Sequence, residues 1–279
     1  LGDDLADSTD GSTPLLSADE APPYFVRNPG AAGSLVLVGD HAGRDIPRRL
    51  AGLGLPAAAL DGHIAWDIGV AGLGARLADR LGAVFVAQRY SRLVIDCNRD
   101  PARADSICEV SDRVVIPGNA ALGPAAKAAR VREIFEPYHD RIAAELDGRD
   151  GPTVVVSVHS FTPVLAGEAR PWRFGVLHLG NSPFSQAMLN RLRAALGEAS
   201  VGDNQPYRMD GTDYTVPHHA VGRGLDYLEL EVRQDLIGDV DGEMAAAALL
   251  APLLAALATP PPPPGRTPAA GPRGPVPAR

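Results

Sequence analysis

Two histidines in this chain stand where apolar runs end. Leu35-Val36-Leu37-Val38 leads into Gly39-Asp40-His41-Ala42-Gly43, and Thr153-Val154-Val155-Val156-Ser157-Val158 leads into His159-Ser160-Phe161-Thr162-Pro163. Each run reads as a buried strand followed by a polar turn, and in an open α/β sheet ligands gather at the carboxyl ends of strands. A single His beside a turn is ordinarily structural. Two at strand ends of one sheet are more specific, because both imidazoles can meet at one edge. With one carboxylate they make a three-ligand site with an open position, the arrangement of a catalytic zinc. Such an ion would polarise an amide carbonyl and lower the pKa of bound water. Glu231 could take that water's proton and pass it to the leaving amine.

A second cluster supplies anion recognition. In Tyr90-Ser91-Arg92-Leu93-Val94-Ile95-Asp96-Cys97-Asn98-Arg99-Asp100-Pro101 the apolar centre reads as a short buried strand, and Arg92, Asp96, Asn98 and Arg99 are residue types seldom buried without partners. A planar guanidinium matches a carboxylate bidentately, and Asp96 could hold one arginine in place. A buried structural ion-pair network is the competing reading. As a site, Arg92, Asn98 and Arg99 would anchor an acidic substrate, which together with the histidines points to hydrolysis of an N-acyl amino acid. Residues 202–207 and 213–219 are loops rich in hydrogen-bonding groups and add Asn204, Tyr207 and His219 as candidates for substrate contact. Arg170 stands at the entrance of another apolar strand, and Arg233 shares a strand face with Glu229 and Glu231.

The elements that must position these residues follow from periodicity. Helical spacing predicts a helix over 70–81 with Leu73, Leu77 and Leu81 on one face, and Asp67 just before it could simply cap it. Strands are expected at 83–87, 92–96, 153–158, 170–179 and 227–237, and a loop over 108–123. A long helix is expected at 124–146, kinked near Pro137, with others at 183–196 and 242–258. The carboxylates on the last strand have an exposed sheet edge as their plain alternative. This pattern is α/β, a single domain with a mixed, mostly parallel central sheet flanked by helices. Residues 1–30 read as a mobile lead-in, 31–258 as the catalytic domain, and 259–279, opening on five prolines, as a disordered tail.

With 279 residues and a hydrophobic fraction of 45%, the chain can bury a full core. A net charge of -8 argues against a nucleic-acid partner. No uninterrupted apolar stretch of about 18 residues suggests a membrane span, and the acidic start lacks the basic region of a secretion signal. Two cysteines form neither a metal pair nor a disulfide framework, which fits a reducing cytoplasm. The oligomeric state is left open.

Five segments in order resemble the motif series of the N-formylglutamate amidohydrolase family. They are Asp40-His41-Ala42-Gly43 with Ile46-Pro47, His63-Ile64-Ala65-Trp66-Asp67-Ile68-Gly69, Ser91 to Arg99, His159-Ser160-Phe161-Thr162-Pro163, and Glu231-Val232-Arg233-Gln234-Asp235-Leu236. The resemblance implies a zinc-dependent exopeptidase-like (phosphorylase/hydrolase-like) fold and one Zn2+ ion. It also implies hydrolysis of N-formyl-L-glutamate, or a similar N-acyl amino acid, to formate and the free amino acid in histidine breakdown. The segment from Arg92 to Arg99 is similar to the Arg…Asp-x-Asn-Arg segment of aspartoacylases and succinylglutamate desuccinylases, where Asn and Arg hold the substrate carboxylate. Their later metal-binding His and catalytic Glu map onto His159 and Glu231. Their first metal motif is His-x-x-Glu, but three residues after His41 this chain has Arg44. The carboxylate ligand therefore comes from elsewhere, with Asp67 the first choice and Asp45 the second, while Asp96 orients the arginines. A carboxypeptidase or peptide amidase is one competing reading. A metal-free binding module for small acidic ligands is the other, and the joint presence of His41, His159 and Glu231 speaks against it.

Overall fold

The computed structural model describes residues 14–180 and 182–258. The chain enters through β1 (Tyr24–Arg27) and β2 (Leu35–Gly39), then a 3-10 turn, the short α1 (Ala57–Leu60), α2 (Val70–Leu81) and β3 (Val84–Gln88). A hairpin of β4 (Val110–Ser111) and β5 (Val114–Val115) precedes α3 (Pro124–Arg130) and α4 (Glu136–Asp147). After these come β6 (Val154–Phe161), the hairpin β7 (Val164–Leu165) and β8 (Glu168–Ala169), β9 (Phe174–Leu177), α5 (Pro183–Leu196) and β10 (Val201–Asp203). The fold closes with α6 (Thr215–His219), β11 (Asp226–Arg233) and α7 (Val240–Ala258).

Seven strands form one sheet in the order β1-β3-β2-β6-β11-β9-β10. Pairing is parallel for β3–β2, β2–β6, β6–β11 and β9–β10, and antiparallel for β1–β3 and β11–β9. The sheet is thus mixed and mostly parallel, as the alternation of strands and helices requires. Its interior strands β2, β3 and β6 are buried along their whole length, which explains why they read as continuous apolar runs. One face is covered by α2, α5 and α7, and the other by α4, α6 and the segment around 90–97. β2 and β6 lie side by side, so their carboxyl ends bring the two histidine turns to one edge.

Several expectations are corrected. Residues 14–30 are part of the fold: Leu15 is buried and β1 pairs with β3 at the sheet edge; residues 1–13 and the Pro-rich segment 259–279 lie outside the described residues. The stretch 92–96 is a turn, not a strand. Leu93, Val94 and Ile95 are buried beneath one sheet face, so their apolarity reflects packing rather than pairing. The helix at 124–146 is split by a π turn at Val131–Phe135 ahead of Pro137, which has no N–H to donate to the preceding turn. The loop at 108–123 contains the β4–β5 hairpin, and the strand expected over 170–179 is only Phe174–Leu177. β11 stops at Arg233 and gives way to a 3-10 turn. Being flanked by β6 and β9, it is an interior strand, so Glu229 and Glu231 do not stand on an exposed edge.

α7 is the one described helix long and apolar enough to cross a membrane by length and composition. Its stripe of Ala246, Ala247, Leu250, Ala251 and Leu254 is buried in the core under α2 and α5.

Candidate active site

Asp40 and His41 follow β2 directly, and the turn they make depends on Gly43. A Cβ added there would meet the Arg89 carbonyl oxygen at 1.9 Å, so only glycine allows this close approach. Asp67 is drawn in by its backbone N–H, which donates to the His41 carbonyl at 2.9 Å. His159, near the end of β6, completes the group. One ligand atom from each of His41, Asp67 and His159 lies within 4.8 Å of the others, and all three residues are buried. Asp67 Oδ2 is 2.9 Å from His159 Nδ1 and 3.6 Å from His41 Nδ1.

The opposite nitrogen of each ring is held by a buried carboxylate. His41 Nε2 lies 2.7 Å from Asp96 Oδ1. His159 Nε2 lies 3.3 Å from Asp40 Oδ2 and 3.0 Å from the Ser157 hydroxyl. Asp40 is fixed in turn, because Tyr138 and Thr215 donate their hydroxyls to its Oδ1, each at 2.8 Å. Carboxylates behind the distal nitrogens fix the tautomer and aim the other nitrogens inward, the usual support of metal-binding histidines.

The charge balance fits a cation. Burial disfavours charge on His159, but its contacts with Asp40 and Asp67 outweigh that and hold its pKa well above the usual value. Burial and Arg92 act against a proton on His41, and Asp96 and Asp67 prevail to raise its pKa. Burial would raise Asp67 and Asp96, yet His41 and His159 hold Asp67, and His41 and Arg92 hold Asp96, below the ordinary carboxylate range. Three buried carboxylates therefore face two imidazoles and one guanidinium. Both rings must carry a proton to balance them unless a cation takes the protons' place. His41 Nδ1 has no hydrogen-bond partner among the described residues although it is buried. An atom in that condition calls for a ligand, and the site can hold a metal ion.

Glu231 stands beside His159 in the parallel register of β11 on β6. Its Oε2 is buried without a partner, and burial pushes its carboxyl up to about 7, a value suited to a group that gains and loses a proton near neutrality. Gly175 opposite leaves room on the other side: a Cβ there would come within 2.1 Å of the Gln205 carbonyl oxygen and 3.1 Å of the Glu231 Cβ. Glu229, one step along the same face, is also buried, and burial raises its pKa well above normal.

These groups line a cleft of ≈ 370 Å³ together with Arg92, Asn98, Arg99, Tyr207 and Arg208. Arg92 bridges Asp96 Oδ2 at 3.0 Å and Asp67 Oδ1 at 3.4 Å. Asn98 Oδ1 accepts from the backbone N–H groups of Tyr214 and Thr215 at 3.0 and 2.9 Å, so this residue ties α6 to the site. Arg99 lies 3.2 Å from Asp213 Oδ1. Arg208 makes no hydrogen bond or ion pair among the described residues and leaves its guanidinium free for a ligand's carboxylate.

Other candidates lie elsewhere. Arg170 lines no wall of this cleft; it holds Tyr207 by a 2.9 Å hydrogen bond to the hydroxyl and by stacking 4.7 Å from the ring centre. Asn204 is used up on the His178 backbone and Arg233 on Asp235, and neither faces the cleft. His219 is buried behind the site, its Nε2 2.9 Å from His139 Nδ1, and His139 Nε2 donates to the Cys97 carbonyl at 2.9 Å. Its role is internal packing rather than substrate contact. Asp45 is exposed, with its backbone bridged to Tyr90, so the geometry favours Asp67 as the carboxylate of the cluster.

Sequence reasoning missed the residues that hold the 92–96 turn. Buried Arg130 donates to the carbonyl of Val94 and to Asn119 Oδ1, and Asn119 Nδ2 donates to the carbonyl of Leu93. A turn lacks ladder partners for its buried carbonyls, and these side chains supply them. Asp40 and Arg208 were also missed. Asp40 adjoins His41 in the first motif, a signal for its role; nothing in the spacing marks Arg208 or Arg130.

The sequence profile of the N-formylglutamate amidohydrolase family matches residues 33–238, most of the chain. A comparison with curated proteins gives no match. Among solved structures, a gene product of Agrobacterium tumefaciens is 36% identical, with a TM-score of 0.83, covering 87% of this chain and 97% of its own. The structure titled N-formylglutamate amidohydrolase from Ralstonia eutropha is 19% identical, with a TM-score of 0.60, covering 85% of this chain and 97% of its own, a likeness of fold. The chain belongs to the N-formylglutamate amidohydrolase family and is a hydrolase acting on amide bonds.

Proposed function

We propose that the protein is a zinc-dependent amidohydrolase that cleaves N-formyl-L-glutamate or a closely similar N-acyl amino acid, releasing the acid and the free amino acid. The observation that carries this reading is the convergence of His41 Nδ1, His159 Nδ1 and Asp67 beside the partnerless oxygen of Glu231. His41, Asp67 and His159 would hold the ion. Two nitrogens and one carboxylate suit zinc over the hard, oxygen-seeking cations. When bound, zinc supplies a Lewis acid that polarises the amide carbonyl and makes water acidic near neutral pH. Glu231 accepts the proton of the attacking water and delivers it to the leaving nitrogen. Arg99, Asn98 and Arg208 receive the carboxylates of the amino-acid part, and Arg92 holds Asp67 and Asp96 in register. The partner is thus a small acidic molecule, and two free cysteines suit a cytoplasmic setting.

The test is release of glutamate and formate by protein reconstituted with one equivalent of zinc, compared with chelator-treated protein and with dipeptide substrates. Zinc-dependent release from N-formylglutamate supports the proposal. Cleavage of dipeptides in its place would move the activity to a carboxypeptidase, and release by neither would refute hydrolysis of this substrate class.

A further inference from the structure

The cleft does not end at the cluster. Past Arg92 it opens into a second chamber of ≈ 450 Å³, sharing Asp67, Arg92, Arg99, Ser160 and Tyr207 with the first. Its far wall, on and beside the β4–β5 and β7–β8 hairpins, sets Ile64, Cys108, Val110, Phe161, Leu165 and Ala166 among polar side chains that include His63, Asp105 and Asp112. Val110 is 54% exposed, an apolar side chain left facing this space. The hairpins are fixed rather than loose. The Thr162 hydroxyl donates to the Val164 carbonyl at 2.9 Å, the Arg170 N–H to the Pro163 carbonyl at 2.8 Å, and the Ile116 N–H to the Glu109 carbonyl at 2.9 Å. His63 Nε2 and Asp112 Oδ2, 3.2 Å apart, join the β4–β5 turn to the segment before Asp67.

We infer that this second chamber is an acyl subsite, and that the substrates cleaved best are N-acyl amino acids whose acyl group is an aliphatic chain longer than formyl. The inference rests on the proposed function, which fixes direction. Glu231 must reach the leaving nitrogen, and Glu231 lines only the first chamber. The amino-acid part therefore lies there, among Asn98, Arg99 and Arg208. Asp67 borders both chambers, so a carbonyl at the cluster points its carbon substituent into the second. A formyl group has no carbon substituent and would leave Val110, Phe161 and Leu165 facing water, whereas an alkyl chain would cover these apolar side chains.

The experiment measures kcat/KM of the zinc-loaded full chain for N-formyl-, N-butanoyl- and N-hexanoyl-L-glutamate, following the glutamate common to all three. The expected result is a rise from formyl to hexanoyl. In Val110→Asp and in Leu165→Asp the hexanoyl-to-formyl ratio is expected to fall at least tenfold. Hydrolysis of the formyl substrate with kcat/KM flat or falling from formyl to hexanoyl overturns the acyl subsite and leaves the proposed function standing, as does a ratio unmoved in both variants. Hydrolysis of none of the three overturns both.

Discussion

Asp96→Asn probes the support behind His41, one of the two histidines proposed to hold the metal. The carboxylate sits 2.7 Å from His41 Nε2, with both side chains almost wholly buried. Asparagine keeps the shape, and its carbonyl can still accept from His41 and from the Asn98 N–H that Asp96 Oδ1 now meets at 2.8 Å. What is lost is the negative charge that makes the imidazole a stronger ligand, together with the Arg92 contact at Oδ2, where the amide N–H groups would face the guanidinium. Removing such a partner weakens metal binding by about 10- to 100-fold, or about 1.4–2.7 kcal/mol. The short, buried contact puts Asp96→Asn toward the upper end. Asp40→Asn belongs near the lower end, because Asp40 Oδ2 is 3.3 Å from His159 Nε2 and Ser157 also approaches that nitrogen. Competition against a chromophoric zinc chelator at pH 7.5 reads both affinities, with the melting temperature of the metal-free variants as a check on folding. Wild-type affinity in a folded Asp96→Asn protein would refute the argument that this carboxylate supports a ligand.

Glu231→Gln should keep its zinc and lower kcat by at least about 100-fold, as expected for loss of a general base; elemental analysis showing loss of metal would make Glu231 a ligand. Arg208→Ala should raise KM about tenfold with kcat little changed, the pattern of a lost uniform binding contact, and an unchanged KM would take Arg208 out of substrate recognition. Burial sets the Glu231 carboxyl near 7 and a bound cation lowers it, so kcat/KM should fall as the pH drops and this base takes up a proton. A pH–rate profile that rises toward acid would contradict that role. For stability, burial depresses His139 to about 4. The unfolded chain then takes up the proton first, and stability is lost as the pH falls from about 6.5 toward 4, by about 3 kcal/mol from this group. Urea midpoints at pH 7.5 and 4.5 should therefore shift less in His139→Gln than in wild type, and an equal shift would refute the assignment.

The strands that carry the cluster were legible because they are buried on both faces and read as continuous apolar runs, each closed by a histidine. Glu231 was legible through alternation along β11, although only its place between β6 and β9 removed the exposed-edge alternative. The turn from Arg92 to Asp96 was misread for a physical reason: Leu93, Val94 and Ile95 are as buried as strand residues, but the carbonyls of Leu93 and Val94 are satisfied by Asn119 and Arg130, which lie more than twenty residues away. Long-range partners of that kind leave no local pattern. The same holds for His219, whose polar neighbourhood suggested a pocket wall while its place on α6 puts it against His139. Asp67 showed the opposite case, a residue that spacing alone could assign to a helix cap and that three-dimensional convergence joins to the two histidines.

The central claim, that His41, Asp67 and His159 hold a metal in place of two protons, is tested most directly by calorimetric titration of metal-free protein with zinc at pH 7, in buffers of different ionisation enthalpy. The account predicts one zinc per chain with about two protons released on binding, and loss of that binding in Asp67→Ala. Absence of zinc binding by the folded wild-type protein, or unchanged binding by Asp67→Ala, would contradict it.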